Sequence, residues 1–347
     1  MAKPFTLLLL VIAMLAVPAL GNQYVLVGRA TSRCNLYTST DGTNWTDQHT
    51  ALSGCSVGLT AAAALGTTWV LTSSNSVSGA LSVYTSTDFS TWNAHLDGLT
   101  GSHHYVCSGN NMFLDMMTDA TDTAYATSTD GVSWTPYANS GTWTGYGQCA
   151  YLNHQFVVFD STTFLNWTST DLVNWTSHIS STGGSAYLGF DPTSGLYMSF
   201  PGTGTTNIYT SSNLDTWATV PTGYTGISLY FPVSNGTNWV IGIQPTSATT
   251  NLILESASSP LSFSTVGIGG TTYTFFLTFY CGYGPFFGSY SSAPFKLYNS
   301  ASGISSWSLV KTGATGEYLS EIGCSTPTVI PFTRRRAFTT VTAPPHH

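Results

Sequence analysis

The strongest constraint on the fold is a short element that returns at a regular interval. "YTSTDGTNWT" at residues 37–46 is followed by "YTSTDFSTWN" from Tyr84, "ATSTDGVSWT" from Ala126, "WTSTDLVNWT" from Trp167 and "YTSSNLDTWA" from Tyr209. Two decayed copies, "SASSPLSF" from Ser256 and "SASGISSW" from Ser300, bring the series to seven. The serines that open successive copies lie 41 to 47 residues apart. That interval is the length of one four-stranded propeller blade.

A second element precedes most copies: "TTWVLTSS", "NNMFLDMM", "NHQFVVFD", "SGLYMSFP", "TNWVIGIQ" and "GPFFGSYS". These read as the second strand of each blade, with the Ser-Asp-Trp element as the hairpin between the third and fourth. Only 7% of residues are charged, which alone is compatible with disorder, but aromatics reach 14% and supply a core. Thr, Tyr, Trp, Phe and Val favour strands, and no sustained 3.6-residue apolar period follows the N-terminal stretch. The fold class expected is all-β. "NQYVLVGR" opens directly on a second strand, and "EYLSEIGC" near the far end supplies the missing innermost one. Pairing the chain ends closes the ring and removes its open sheet edges. The expectation is a seven-bladed β-propeller of four-stranded antiparallel blades, with six blades as the alternative.

Lys3, an apolar run from Leu7 to Val17 and small residues up to Gly21 have the order of a secretory signal. The run is too short to span a bilayer. The expected organisation is a cleaved signal at 1–21, a propeller at 22–332 and a tail at 333–347 that lacks a strand or helix pattern. The expected location is extracellular.

Between Asn22 and Phe332 the cations are Arg29, Arg33, Lys296 and Lys311, against all fifteen Asp and Glu. Nucleic-acid binding needs clustered cations to displace phosphate counterions, so it is excluded, and adhesion to anionic lipid is disfavoured. No membrane insertion is expected.

"STDGTNW" and "STDGVSW" resemble the Asp-box, or bacterial neuraminidase repeat, whose pattern is Ser-x-Asp-x-Gly-x-x-Trp. The boxes comprise Ser39, Asp41 and Trp45; Ser86, Asp88 and Trp92; Ser128, Asp130 and Trp134; Ser169, Asp171 and Trp175; and Ser211, Asn213 and Trp217. Asp88 and Asp171 lack the following Gly, Asn213 replaces Asp, and the sixth copy keeps neither Asp nor Trp. The resemblance implies the propeller fold over nearly the whole mature chain. It leaves function open, because the family includes sialidases, other glycosidases, sorting receptors and assembly factors. A sialidase site needs an arginine triad, and only Arg29 and Arg33 lie inside the propeller, so sialidase activity is excluded. The basic patch of the photosystem assembly factors and the Cys-rich domain of the sorting receptors are also missing.

A box Asp can accept hydrogen bonds from backbone N–H groups of its own turn, while the Trp packs between strands. Copies spread around a ring cannot converge on one ligand, so the boxes are read as fasteners. Six cysteines in an exported chain allow fifteen pairings of three disulfides. Cys107 and Cys149 occupy the same place in consecutive blades, Cys281 occupies it in the last blade, and Cys324 lies in the closing strand beside it. The expected pairs are Cys107–Cys149, Cys281–Cys324 and, by remainder, Cys34–Cys55. Neither a metal nor a cofactor is expected. Asn44, Asn166, Asn174 and Asn235 each begin an Asn-x-Thr sequon, as chance alone would produce in a chain so rich in Thr.

Blade topology places the box hairpins on one face and the inter-blade loops on the other, and binding residues favour such loops. Asp47, His49, Asp97, His103, His104, Asp115, Asp119, Asp122, Asp160, His178, Glu317 and Glu321 are expected mainly on the loop face. Trp143, Tyr146 and Tyr224 join them. His103, His104, Asp119, Asp122 and those three aromatics form the candidate ligand site, since aromatic platforms beside polar groups suit sugars. The leading reading is a non-catalytic binding or structural module for a glycan or an extracellular protein. The enzymatic alternative is a glycoside hydrolase or lyase using Asp115 and Asp160, which needs carboxyls about 5 Å or about 6.5–9.5 Å apart. A third reading is a self-associating surface or filament component.

Overall fold

The computed structural model describes residues 22–325, apart from 31–32, 53, 56–57, 74–81, 97–103, 118–123, 139–148, 161–164, 180–186, 201–206, 226, 246–251, 258–260, 268–275, 282–283, 291–293 and 305. The expected signal and tail lie outside the described residues. Twenty-eight strands, numbered β1 to β28 in chain order, form seven four-stranded sheets, and every pairing is antiparallel between sequence neighbours except at the closure. The chain is a seven-bladed β-propeller.

The second strand of each blade is sandwiched between neighbouring sheets, which explains its nearly unbroken apolar sequence. Trp69, Val70 and Leu71, then Phe156, Val157 and Val158, then Trp239, Val240 and Ile241 are all buried. Fourth strands lie on the rim and stay wet, as in β19 (Ala218–Pro221) and β27 (Ser308–Thr312).

Ring closure pairs β1 (Tyr24–Arg29) with β28 (Tyr318–Cys324), from Tyr24 opposite Cys324 to Arg29 opposite Tyr318. The Cys281–Cys324 disulfide ties β28 to the preceding blade, and Cys107–Cys149 and Cys34–Cys55 complete the three pairs. At the loop end of the closure the buried Glu317 accepts hydrogen bonds from Tyr37 Oη at 2.8 Å, the Ala314 N–H at 2.7 Å and the Arg33 guanidinium. Burial alone would raise its carboxyl, but these three donors hold it below the usual carboxylate range. Burial, reinforced by Glu317, pushes the Tyr37 hydroxyl up.

The box hairpins are self-contained. Ser39 Oγ donates to Asp41 Oδ1 at 3.0 Å and accepts the Gly42 N–H at 2.9 Å, while Asp41 Oδ1 accepts the N–H groups of Thr43 and Asn44. The same pattern recurs at Asp88, Asp130, Asp171 and Asn213. In the seventh blade Ser300 Oγ still accepts the Gly303 N–H at 3.1 Å. The Asn110 amide donates to Thr170 O in the next blade's hairpin, so the first-to-second-strand turns share the box face.

Backbone N–H donors hold the four box carboxyls low: chiefly Asn44 for Asp41, Thr91 for Asp88 (to about 2), Ser133 for Asp130 and Asn174 for Asp171. Because the unfolded carboxyls titrate near 3.9, this stabilisation is complete above about pH 5 and lost as pH falls toward 2. Asn213 accepts the same two N–H bonds without a charge, so D88N, D130N and D171N together are expected to flatten the acid limb. Urea unfolding at pH 5 and pH 2.5 checks this, and an unaltered drop in the triple variant would refute it.

Candidate functional site

The innermost strands run toward the box face and surround the ring axis. In blade two that strand is β4 (Leu59–Leu65), whose sequence LTAAAAL brings it close to β28. A Cβ on Gly323 would sit 2.6 Å from the Ala62 Cβ, so little room remains on that side. The free space lies toward the other blades as a cavity of about 280 Å³. Its walls come from β8 (His104–Gly109), β12 (Cys149–Leu152), β16 (Tyr187–Asp191), β20 (Ile227–Ser234), β24 (Phe276–Phe279) and β28, with Tyr280 just beyond β24.

Aromatic side chains dominate this wall. The Tyr187 ring lies 4.3 Å from that of Phe231 and 5.6 Å from that of Tyr230, and Phe231 stacks toward Phe279 at 6.4 Å. Phe231 adopts φ 44°, a left-handed conformation that a bulky side chain rarely takes. It sits in the bulge where the register of β20 shifts between Tyr230 and Val233. Thr278 Oγ1 donates to the Phe231 carbonyl and supports the bulge. Pro232 O approaches Gly189 so closely that a Cβ there would lie 2.2 Å away. Bulges re-aim side chains, and this one brings the Phe231 ring to the cavity.

Among the described residues one acidic or basic side chain lines the cavity, that of Glu321 midway along β28. Among the described residues no Arg, Lys or His forms an ion pair with it. Burial pushes its carboxyl up to about 8, and burial together with Tyr230 and Tyr105 pushes the Tyr187 hydroxyl up to about 12. The arrangement is an apolar, aromatic recess with one carboxyl that protonates near neutrality.

The structure relocates several residues that the sequence placed on the loop face. Asp115, in β9 (Met112–Met117), and Asp160, after β13 (Gln155–Phe159), are 0% and 1% exposed. Both point into blade packing, because the ends of second strands lie between sheets and not in the loops. His178, in β15 (Thr176–Ile179), bridges outward to Asp215 Oδ1 at 2.9 Å in the next blade's hairpin, since a fourth strand runs along the rim. Glu321 belongs to the axis, because β28 is the innermost strand of its blade. Asn166 is 2% exposed in β14 (Leu165–Ser169), which leaves no room for a glycan on it. The Asn44 and Asn174 amides donate to Asp41 and Asp171 Oδ2 at 2.7 Å, and Asn235 Oδ1 caps its own turn. Asp47 and His49 pair at 2.7 Å on the surface. Tyr224 is half-buried and packs against the Met198–Phe200 cluster. His104 opens β8. Asp97, His103, Asp119, Asp122, Trp143 and Tyr146 lie outside the described residues. Among the described residues no group of three His, Cys, Asp or Glu is placed to hold a metal ion. The sequence signal for the cavity is a single acid inside a largely apolar innermost strand, "YLSEIGC".

Fold and axial cavity together place the chain among the seven-bladed β-propellers. No family model matches it, and no curated protein is similar to it in sequence. Solved structures are similar in fold. YCF48 from Cyanidioschyzon merolae aligns with TM-score 0.52 and 15% identity over 74% of this chain and 87% of its own. A YCF48 bound to D1 peptide aligns with TM-score 0.57 and 12% identity over 86% and 95%. A prolyl endopeptidase aligns with TM-score 0.60 and 10% identity over 84% of this chain, which spans half of that enzyme.

Proposed function

We propose that this chain is an exported, non-catalytic binding propeller whose partner is a protein segment that docks on the loop face and reaches into the axial cavity. The observation that carries this is the recess itself: half-buried aromatic rings from several blades converge on one partly open space. A volume of about 280 Å³ lies just below the roughly 300–1,000 Å³ of pockets for drug-sized ligands. It suits one inserted side chain better than a sugar chain. The YCF48 structure with D1 peptide is a precedent for a propeller of this fold holding a peptide. Three disulfides suggest an oxidising, extracellular environment, in keeping with a cleaved signal at 1–21, a propeller at 22–332 and a tail at 333–347. The Ser-Asp turn bonds favour assignment of the repeats as Asp-boxes.

Selection of a phage-displayed peptide library on the purified protein tests the reading, with a glycan array run in parallel. Enriched peptides should bind wild type and lose at least tenfold in affinity to Tyr187→Ala. Glycan binding without peptide enrichment would move the assignment to a lectin.

A further inference from the structure

We propose that the axial cavity is a cation-specific subsite, in which the Glu321 carboxylate receives a protonated amine whose alkyl stem lies against Tyr105, Tyr187, Phe231, Phe279 and Tyr280. This rests on the protein-partner reading and names what the inserted group is: a lysine side chain or a chain amino terminus.

Three observations converge. Among the described residues Glu321 is the one Asp, Glu, Lys, Arg or His on the cavity wall, and no basic side chain among them pairs with it. Every aromatic named keeps part of its surface open, and that surface borders the same space. Ring faces attract cations, most strongly where water is excluded. The third is backbone strain: Phe231 holds a left-handed φ of 44° where the inner strand bulges toward the cavity. Such strain persists only where surrounding structure enforces it, and it clusters at binding sites.

A signature in pH follows. The other titratable residues on the cavity wall are Tyr105, Tyr187 and Tyr280, from β8, β16 and the end of β24; β12 and β20 contribute no titratable group to the wall. The Tyr187 hydroxyl, raised to about 12, stays neutral throughout the working range. The Glu321 carboxyl, raised to about 8, is mostly protonated at pH 6 and must release its proton before it can hold a cation. Apparent affinity should therefore rise about tenfold per pH unit from pH 6 to 8 and level off above, with nearly one proton released per amine bound at pH 6.

Calorimetric titration with n-butylammonium, using n-butanol as the neutral isostere, measures the subsite directly. Expected results are saturable butylammonium binding, at least tenfold weaker butanol binding, proton release shown by buffer-dependent heats, and at least tenfold loss in Glu321→Gln. Tyr187→Leu, which keeps the recess apolar but removes a ring face, should weaken binding severalfold. Equal binding of the two probes, no binding, or a Glu321→Gln affinity within twofold of wild type overturns the proposal. Selected peptides provide the second arm, through loss of binding when their lysines are acetylated and the amino terminus is blocked. Peptides that bind independently of amine and Glu321 would keep the protein-partner reading and overturn the cation subsite. Butylammonium bound at Glu321 with no peptide enriched would support the subsite and overturn the partner reading.

Discussion

Glu321→Gln is expected to raise the unfolding midpoint at pH 9 and leave it nearly unchanged at pH 5. The Glu321 carboxyl moves from an ordinary 4.5 up to about 8 because burial in the channel wall penalises its charge. Between these values the folded protein keeps a proton that the unfolded chain has released, so its stability falls as pH rises from about 4.5 to about 8. At about 1.4 kcal/mol per pH unit the full displacement sets a ceiling of about 5 kcal/mol. The side chain is only half-buried, so solvent screening discounts that ceiling, and about 2–3 kcal/mol is the expected gain for Gln at pH 9. At about 2 °C per kcal/mol for a domain of this size, the midpoint rises by about 4–6 °C. Scanning calorimetry of both proteins at pH 5 and pH 9 measures it. The same difference at both pH values would show that Glu321 is not desolvated. A cation bound beside Glu321 would offset that desolvation cost.

The second large effect is steric. In β1, Gly28 lies at the bulge where the closing pair shifts register, and a Cβ placed on it would sit 2.0 Å from the Tyr318 carbonyl oxygen. The β1 backbone fixes where that Cβ sits and the oxygen belongs to the backbone of β28, so no side-chain rotation relieves the clash. Gly28→Val should cost at least about 3 kcal/mol, at the upper end of overpacking effects. The Cys281–Cys324 disulfide still tethers β28, so the variant is expected to open locally at the closure while the other blades stay folded. Hydrogen exchange should show early loss of protection at Tyr24–Arg29 and Tyr318–Cys324. Full protection there, with an unshifted midpoint, would mean that the closure is not as tight as this contact requires. Reduction of the disulfides should make the effect of Gly28→Val larger, because β28 would then also lose its tether to the preceding blade.

The features legible in the sequence are those whose physics is local or repeated. A box Ser and Asp satisfy the N–H groups of their own turn, so "STDGTNW" reports a hairpin whatever surrounds it. Second strands such as "QFVVF" are buried on both faces and need apolar residues throughout, so they stand out too. Once those two elements set the blade register, the neighbours Cys107 and Cys149, and the closing pair Cys281 and Cys324, followed from it. The positions of Asp115, Asp160 and His178 were not legible. Whether a polar residue near a strand end meets solvent, a neighbouring sheet or the next blade's hairpin depends on packing between blades, which no local pattern encodes.

The sequence by itself determined a ring of seven antiparallel blades and the pairing that shuts it, because each repeat carries its own turn bonds and its own apolar strand. Only the tertiary structure decided what lies on the axis. Six strands separated by tens of residues must converge before Glu321, Tyr187 and Phe231 share one wall. The Phe231 bulge, made possible by Gly189 beside Pro232, and the alanines of β4 then set where that wall leaves space. Convergence of distant strands and close backbone approach are properties of the closed ring, and they turn an isolated glutamate in an apolar strand into a carboxyl on a cavity wall.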